Sequence, residues 1–151
     1  MKNNLIVLLS IGTLLISSCS RSSNNSTTWT FKSINNSAPS CTGSQGVYSA
    51  INTSAAQPDT IGVVFDSIGQ PVASGTYTVA PGFVLYTANQ VHVTASSGGQ
   101  MYTGTGGNGS NQTIQVAVSG STITMTGSNI EMVNIFNPSD IAPITFHLVK
   151  P

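Results

Sequence analysis

The chain has 151 residues with four Lys/Arg, four Asp/Glu and a formal net charge of zero, and only 5% of its residues are charged. Ordinary soluble domains carry about 25%, so here Ser, Thr and Asn supply the polar surface. The lack of any basic patch excludes a phosphate-backbone binder, so nucleic acid is not an expected partner, and charged substrates would be steered only weakly.

In chain order, Lys2 gives a short positive start, and Leu5 to Ile16 form an apolar run broken only by Ser10, Gly12 and Thr13. Small residues, Ser17 and Ser18, then lead directly to Cys19. A spanning helix needs roughly 20 apolar residues, so this run is too short, and its flanks are those of a secretory signal. It also lacks the amphipathic period of a buried helix.

Ile16-Ser17-Ser18-Cys19 resembles the lipobox of bacterial lipoproteins. The resemblance implies a signal peptide over 1–18, cleavage before Cys19, a diacylglycerol on its thiol and an acyl group on the new amine. Each buried CH₂ contributes about 0.8 kcal/mol, and two or three chains hold a protein stably where one does not. The membrane is therefore an expected partner through Cys19. Ser20, where inner-membrane lipoproteins commonly carry aspartate, implies the outer membrane. Residues 20–28 read SRSSNNSTT, a polar tether spanning roughly 15–20 Å as a random coil. It has no acidic cluster, which favours the periplasmic side over the cell surface.

The remaining residues, 29–151, suit one domain with a modest core. About nine short strand candidates follow, bounded by Gly, Pro, Asn or Ser. Trp29 and Phe31 alternate with Thr30 and Lys32; Val47, Ser49 and Ile51 alternate more weakly. Ile61, Val63 and Phe65 form a clear inward face, then Tyr77 with Val79, a short stretch Phe83 to Tyr86, and Val91 with Val93 around an oppositely directed His92. Ile114, Val116 and Val118 lead through Ser119-Gly120-Ser121 into Ile123 and Met125, with Thr122, Thr124 and Thr126 outward, which reads as a hairpin with a threonine ladder. Ile130 and Met132 continue, and Ile144, Phe146 and Leu148 close the domain. Without a 3.6-residue period, the expectation is all-β: an antiparallel β-sandwich or a partly open β-barrel.

This layout resembles the small lipid-anchored β-sandwich proteins of unknown function in Gram-negative bacteria. The shared features are the lipobox, the polar tether, the Trp29-x-Phe31 strand and the Ser74-Gly75-Thr76-Tyr77 start of a middle strand. The resemblance brings no catalytic residues.

Individual motifs point the same way. Gly104-Thr105-Gly106-Gly107-Asn108-Gly109 matches G-x-G-x-x-G, but a strand follows where a phosphate-binding helix is required, so no nucleotide cofactor is expected. His92 and His147 lie between apolar strand residues, and two histidines with scattered acids do not make a metal site. Each reads as surface or half-buried. Cys41 reads as a small buried hydrophobe. No G-x-S-x-G elbow supports a serine triad. Asp59, Asp66, Glu131 and Asp140 read as turn and edge residues rather than a hydrolytic pair.

The expected function is thus a non-enzymatic binding or structural module of the envelope. Two alternatives stand beside it: a glycan-binding accessory protein using Tyr48, Tyr86 and Tyr102, and a small secreted hydrolase. A ligand, if neutral and polar like a sugar, is placed at the Gly-rich stretch from Ser96 to Asn111. There Tyr102 would stack while Gln100, Asn108 and Asn111 hydrogen-bond it.

Overall fold

The computed structural model describes residues 26–54, 59–66, 71–82, 87–106 and 112–151. The signal segment, Cys19, Tyr86, the Phe83–Tyr86 strand candidate, Asn108 and Asn111 lie outside them. The described residues contain eleven strands and no helix: β1 Thr27–Phe31, β2 Ile34–Ala38, β3 Thr42–Ser44, β4 Val47–Asn52, β5 Asp59–Phe65, β6 Gly75–Val79, β7 Gln90–Ser97, β8 Gln100–Gly104, β9 Thr113–Ser119, β10 Thr122–Asn134 and β11 Ile141–Lys150.

All eleven belong to one sheet in the order β2-β1-β11-β10-β9-β6-β7-β5-β4-β3, with β8 bridging β7 and β10. Because β8 pairs both, the path β10-β9-β6-β7-β8 returns to β10 and closes a ring of five strands. One wing, β11-β1-β2, continues from β10, and the other, β5-β4-β3, continues from β7. Asn52 on β4 donates to Asn36 on β2 at 2.8 Å, so the wings meet on the far side. The fold is all-β, between sandwich and barrel.

Most inward faces follow the apolar alternation. Trp29, Phe31, Ile61, Val63, Phe65, Val79, Val91, Val93, Ile114, Met125, Met132, Ile144, Phe146 and Leu148 are all buried. Rings meet edge to face, Phe65 on β5 against Tyr77 on β6 at 4.8 Å and Tyr48 on β4 at 5.9 Å, a favoured aromatic geometry. The β9–β10 hairpin forms as expected. Thr122 pairs with Ser119 across a two-residue turn, with Gly120 supplying the positive φ (+61°) at its first position.

Five expectations need correction. The sheet is mixed rather than antiparallel, because β6 and β7 run parallel over Thr78–Gln90 and Val79–Val91; the ten residues between them give the crossover that a parallel pair needs. The described residues hold eleven strands against about nine expected, because β2 (INNSA), β3 (TGS) and β8 (QMYTG) carry too few apolar residues to show a period. On β4 the inward face is Tyr48 and Ala50, leaving Val47 and Ile51 44% and 50% exposed. The first described strand takes in Thr27 and Thr28 of the expected tether: the Thr27 side chain is buried, and its hydroxyl accepts from Val149 N at 2.9 Å. His92 is buried rather than superficial, on the face opposite Val91 and Val93, where desolvation holds its pKa below the ordinary value.

β10 also carries a bulge. Gly127 pairs with Phe146 and Ile130 with Ile144, so three positions on β10 oppose two on β11. A Cβ on Gly127 would lie 2.6 Å from the Phe146 ring, which explains the glycine there.

Candidate functional site

The pairing register sorts the loops to two ends. At one end lie the Lys32–Ser33 turn, the Asn52 and Asp59 ends of β4 and β5, the Gly98–Gly99 turn and the 135–140 connection. At the other lie Thr27, the Gln45–Gly46 and Gly120–Ser121 turns and Lys150. The chain therefore enters its first strand at the Lys150 end.

At the Lys32 end the inward positions turn polar while keeping the phase of the apolar ones. Asn36 is in phase with Ala38, Asn52 with Ala50, Asp59 with Ile61, Ser97 with Ala95 and Asn134 with Met132. Buried polar groups need partners, and these residues share theirs. Asp59 accepts from Ser97 Oγ at 3.5 Å and Gly98 N at 3.3 Å, Asn52 donates to Asn36, and Asn134 Nδ2 donates to Gln100 Oε1 and Asp140 Oδ2, both at 3.3 Å. This belt consists of three separate hydrogen-bonded groups, and the largest is gathered on Asp140. Lys32 Nζ bonds its carboxylate at 2.8 Å and the Tyr102 hydroxyl donates to it at 2.7 Å. Lys32 Nζ also donates to the Tyr102 hydroxyl and lies 4.7 Å from its ring centroid. The hydrogen bond to Lys32, then that from Tyr102, holds the Asp140 carboxyl below its ordinary pKa; Asp140, then Tyr102, raises that of Lys32.

The backbone at Lys32 matters as much as its charge. Phe31 pairs with Ile34, leaving Lys32 and Ser33 as a two-residue turn with φ of +49° and +64°. That is a type I′ turn without the usual Asn or Gly, and each such residue costs about 1 kcal/mol. The turn aims the ammonium at Asp140 and Tyr102. The ion pair is about a third exposed and contributes little stability once screened; it fixes geometry.

The expected ligand stretch from Ser96 to Asn111 is not one loop. Ser97 pairs with Gln100 across a Gly98–Gly99 turn, and β8 occupies Gln100–Gly104. Tyr102 is 2% exposed, edge-on to Phe31 at 4.8 Å, so it has no free stacking face. Gln100 is at the surface and bonds Asn134. Tyr48 is buried too, which removes a second stacking platform from the glycan reading. The acids hold different elements, as Glu131 does Thr105 at 2.8 Å and Asp66 does Asn89 N at 3.0 Å. Among the described residues no three His, Cys, Asp or Glu gather to hold a metal ion. Cys41 is 1% exposed, and burial pushes its thiol up to about 11, the inert state expected of it.

Two surface features were not legible beforehand. Of the six large hydrophobics exposed among the described residues, Ile34, Ile51, Met101, Phe136 and Ile141 surround the Lys32 end, Phe136 being 77% exposed. At the Lys150 end a pocket of about 320 Å³ opens between the halves, with Tyr48, Val72, Val118 and Ile123 as its apolar walls and Lys150 at its rim. No protein-family model, curated protein or solved structure matches the chain, so its chemistry is read from these residues alone.

Proposed function

We propose that the chain is a non-enzymatic binding module, lipid-anchored through Cys19 to the outer membrane on its periplasmic side, which presents its Lys32 end to an envelope protein. One observation supports this reading best. The chain enters at Thr27, and five of the six exposed large hydrophobics lie at the opposite end. Large apolar side chains gathered at one end of a charge-poor surface mark an interaction site. The nearby charges, Lys32 and Asp140, satisfy each other, so a partner would be held by shape and apolar contact, with little salt dependence.

Two measurements test the two halves of the proposal. Mass spectrometry of membrane-extracted protein should show a lipid adduct on Cys19 that Cys19→Ser lacks. An unmodified Cys19 would end the anchoring half. A photo-crosslinker at position 136 should give one discrete adduct in intact cells, lost on adding Met101→Ser, while the same probe at exposed Thr126 gives none. Equal labelling at both positions, or none at 136, removes the docking half.

A further inference from the structure

We infer that the pocket at the Lys150 end is a binding site for a small amphiphilic monoanion, a carboxylate or phosphodiester head on a short apolar chain. This goes beyond the docking surface proposed above and does not depend on it.

Shape comes first. At about 320 Å³ the pocket sits at the lower end of the size range of small-molecule sites. It is bounded by two tight turns, Gln45–Gly46 and Gly120–Ser121, and by the Pro71–Val72 approach to β6. Tyr48, Val72 and Ile123 are 3%, 7% and 9% exposed, so the walls are core side chains that also face the cavity. Filling it removes apolar surface from water on both partners, and each CH₂ so buried contributes about 0.8 kcal/mol, or roughly fourfold in affinity.

Charge decides the head group. The lining contains one charged residue, Lys150, and no carboxylate. Lys150 Nζ donates to the Ser121 carbonyl at 3.3 Å and has no acidic partner among the described residues, whose single ion pair is Lys32–Asp140. An ammonium with two donors left, above an apolar hollow, complements an anion whose tail points inward. Ser44, Gln45 and Ser121 add neutral polar groups around the rim. Cations and dianions are disfavoured, the first by Lys150 and the second by the want of another positive charge.

The same chemistry could come from a free fatty acid or from the head and upper chain of an anionic phospholipid, and the pocket lies at the end where the chain enters. Both sources are addressed by methyl NMR on the full chain in phosphatidylcholine nanodiscs. Octanoate should shift the Val72, Val118 and Ile123 methyl signals, with butanoate binding at least tenfold more weakly. Lys150→Gln should weaken octanoate about tenfold and leave neutral octanol unchanged, because only the head loses its partner. Val118→Phe, which fills the hollow, should abolish binding of both. Nanodiscs containing phosphatidylglycerol that produce the same shifts without octanoate would identify the lipid as the source; shifts with octanoate alone would identify the free acid. Octanol and octanoate binding equally, with Lys150→Gln without effect, would overturn the anion assignment. Shifts clustered elsewhere, or none at millimolar octanoate, would overturn the site.

Discussion

The two ends of this all-β fold turn the chain by the same device, two-residue hairpin turns, and are finished with opposite chemistry. At the Lys32 end the inward layer is Asn, Asp and Ser in three hydrogen-bonded groups, the largest gathered on Asp140, and the apolar residues are on the outside. At the Lys150 end the apolar layer runs open into the pocket, with a lone ammonium above it. Even the turns differ. Gln45–Gly46 has glycine at its second position (φ +84°), whereas Lys32–Ser33 holds two non-glycine residues at positive φ. The lesson is that a sheet end stoppered by hydrogen bonds can carry hydrophobics outward, while an end left apolar leaves a hollow that apolar groups can enter.

The largest effect should come from removing the stopper. Tyr102→Ala deletes a buried ring packed on Phe31 and two hydrogen bonds, and should lower unfolding stability by about 3–5 kcal/mol in urea titrations. A loss below about 1 kcal/mol would show that the belt does not close this end.

Next comes alkaline sensitivity at the other end, where Cys41 N donates to the Val149 carbonyl at 2.8 Å. Burial raises its thiol from 9.0 to about 11. The folded state therefore holds this proton more tightly than the unfolded chain. The stabilisation is complete below pH 9 and is lost as pH rises through 11. At about 1.4 kcal/mol per unit this is about 2–3 kcal/mol. Wild type should lose that much more stability than Cys41→Ala between pH 8 and 11.5; parallel curves would contradict the burial.

Smaller again, Ser33→Gly should stabilise by about 0.5–1 kcal/mol, since glycine accepts φ of +64° without strain. An unchanged melting midpoint would mean that the turn is not strained. Lys32→Gln should change stability by less than about 1 kcal/mol. It should also move the Asp140 carboxyl back up toward the ordinary range, read by carbon-detected NMR titration. Because that carboxyl is held low in the fold, its stabilising effect is present above the unfolded-state pKa and fades as pH falls through the folded value.

Much of the core was legible because Ile61-x-Val63-x-Phe65 or Ile114-x-Val116 can be buried in only one phase. β4 was misphased because Tyr48 and Ala50 compete with Val47 and Ile51, and hydropathy favours the aliphatic pair over a tyrosine. The belt was missed for a different reason. Asp59 and Asn134 look like turn residues, yet each extends an apolar alternation by one more step, two residues from Ile61 and Met132. Phase, rather than polarity, marks them as inward. Nothing local could have brought Lys32 to Asp140, 108 positions away, since that contact exists only once β1 lies beside β11 and β8 bridges to β10.

The pairing of β1 with β11 has a consequence for the order in which these strands can form. Thr27 is tied to Val149 across 122 positions, and β1 has only β2 to pair with until β11, the ten residues Ile141–Lys150, has been synthesised. A lone two-stranded hairpin is marginal in water, and pairings this distant form late. The β11-β1-β2 wing must therefore wait for Ile141–Lys150, whereas the ring of five strands and the β5-β4-β3 wing need none of its strands. Whatever delays Ile141–Lys150 delays that wing, and with it the Lys32 contact to Asp140.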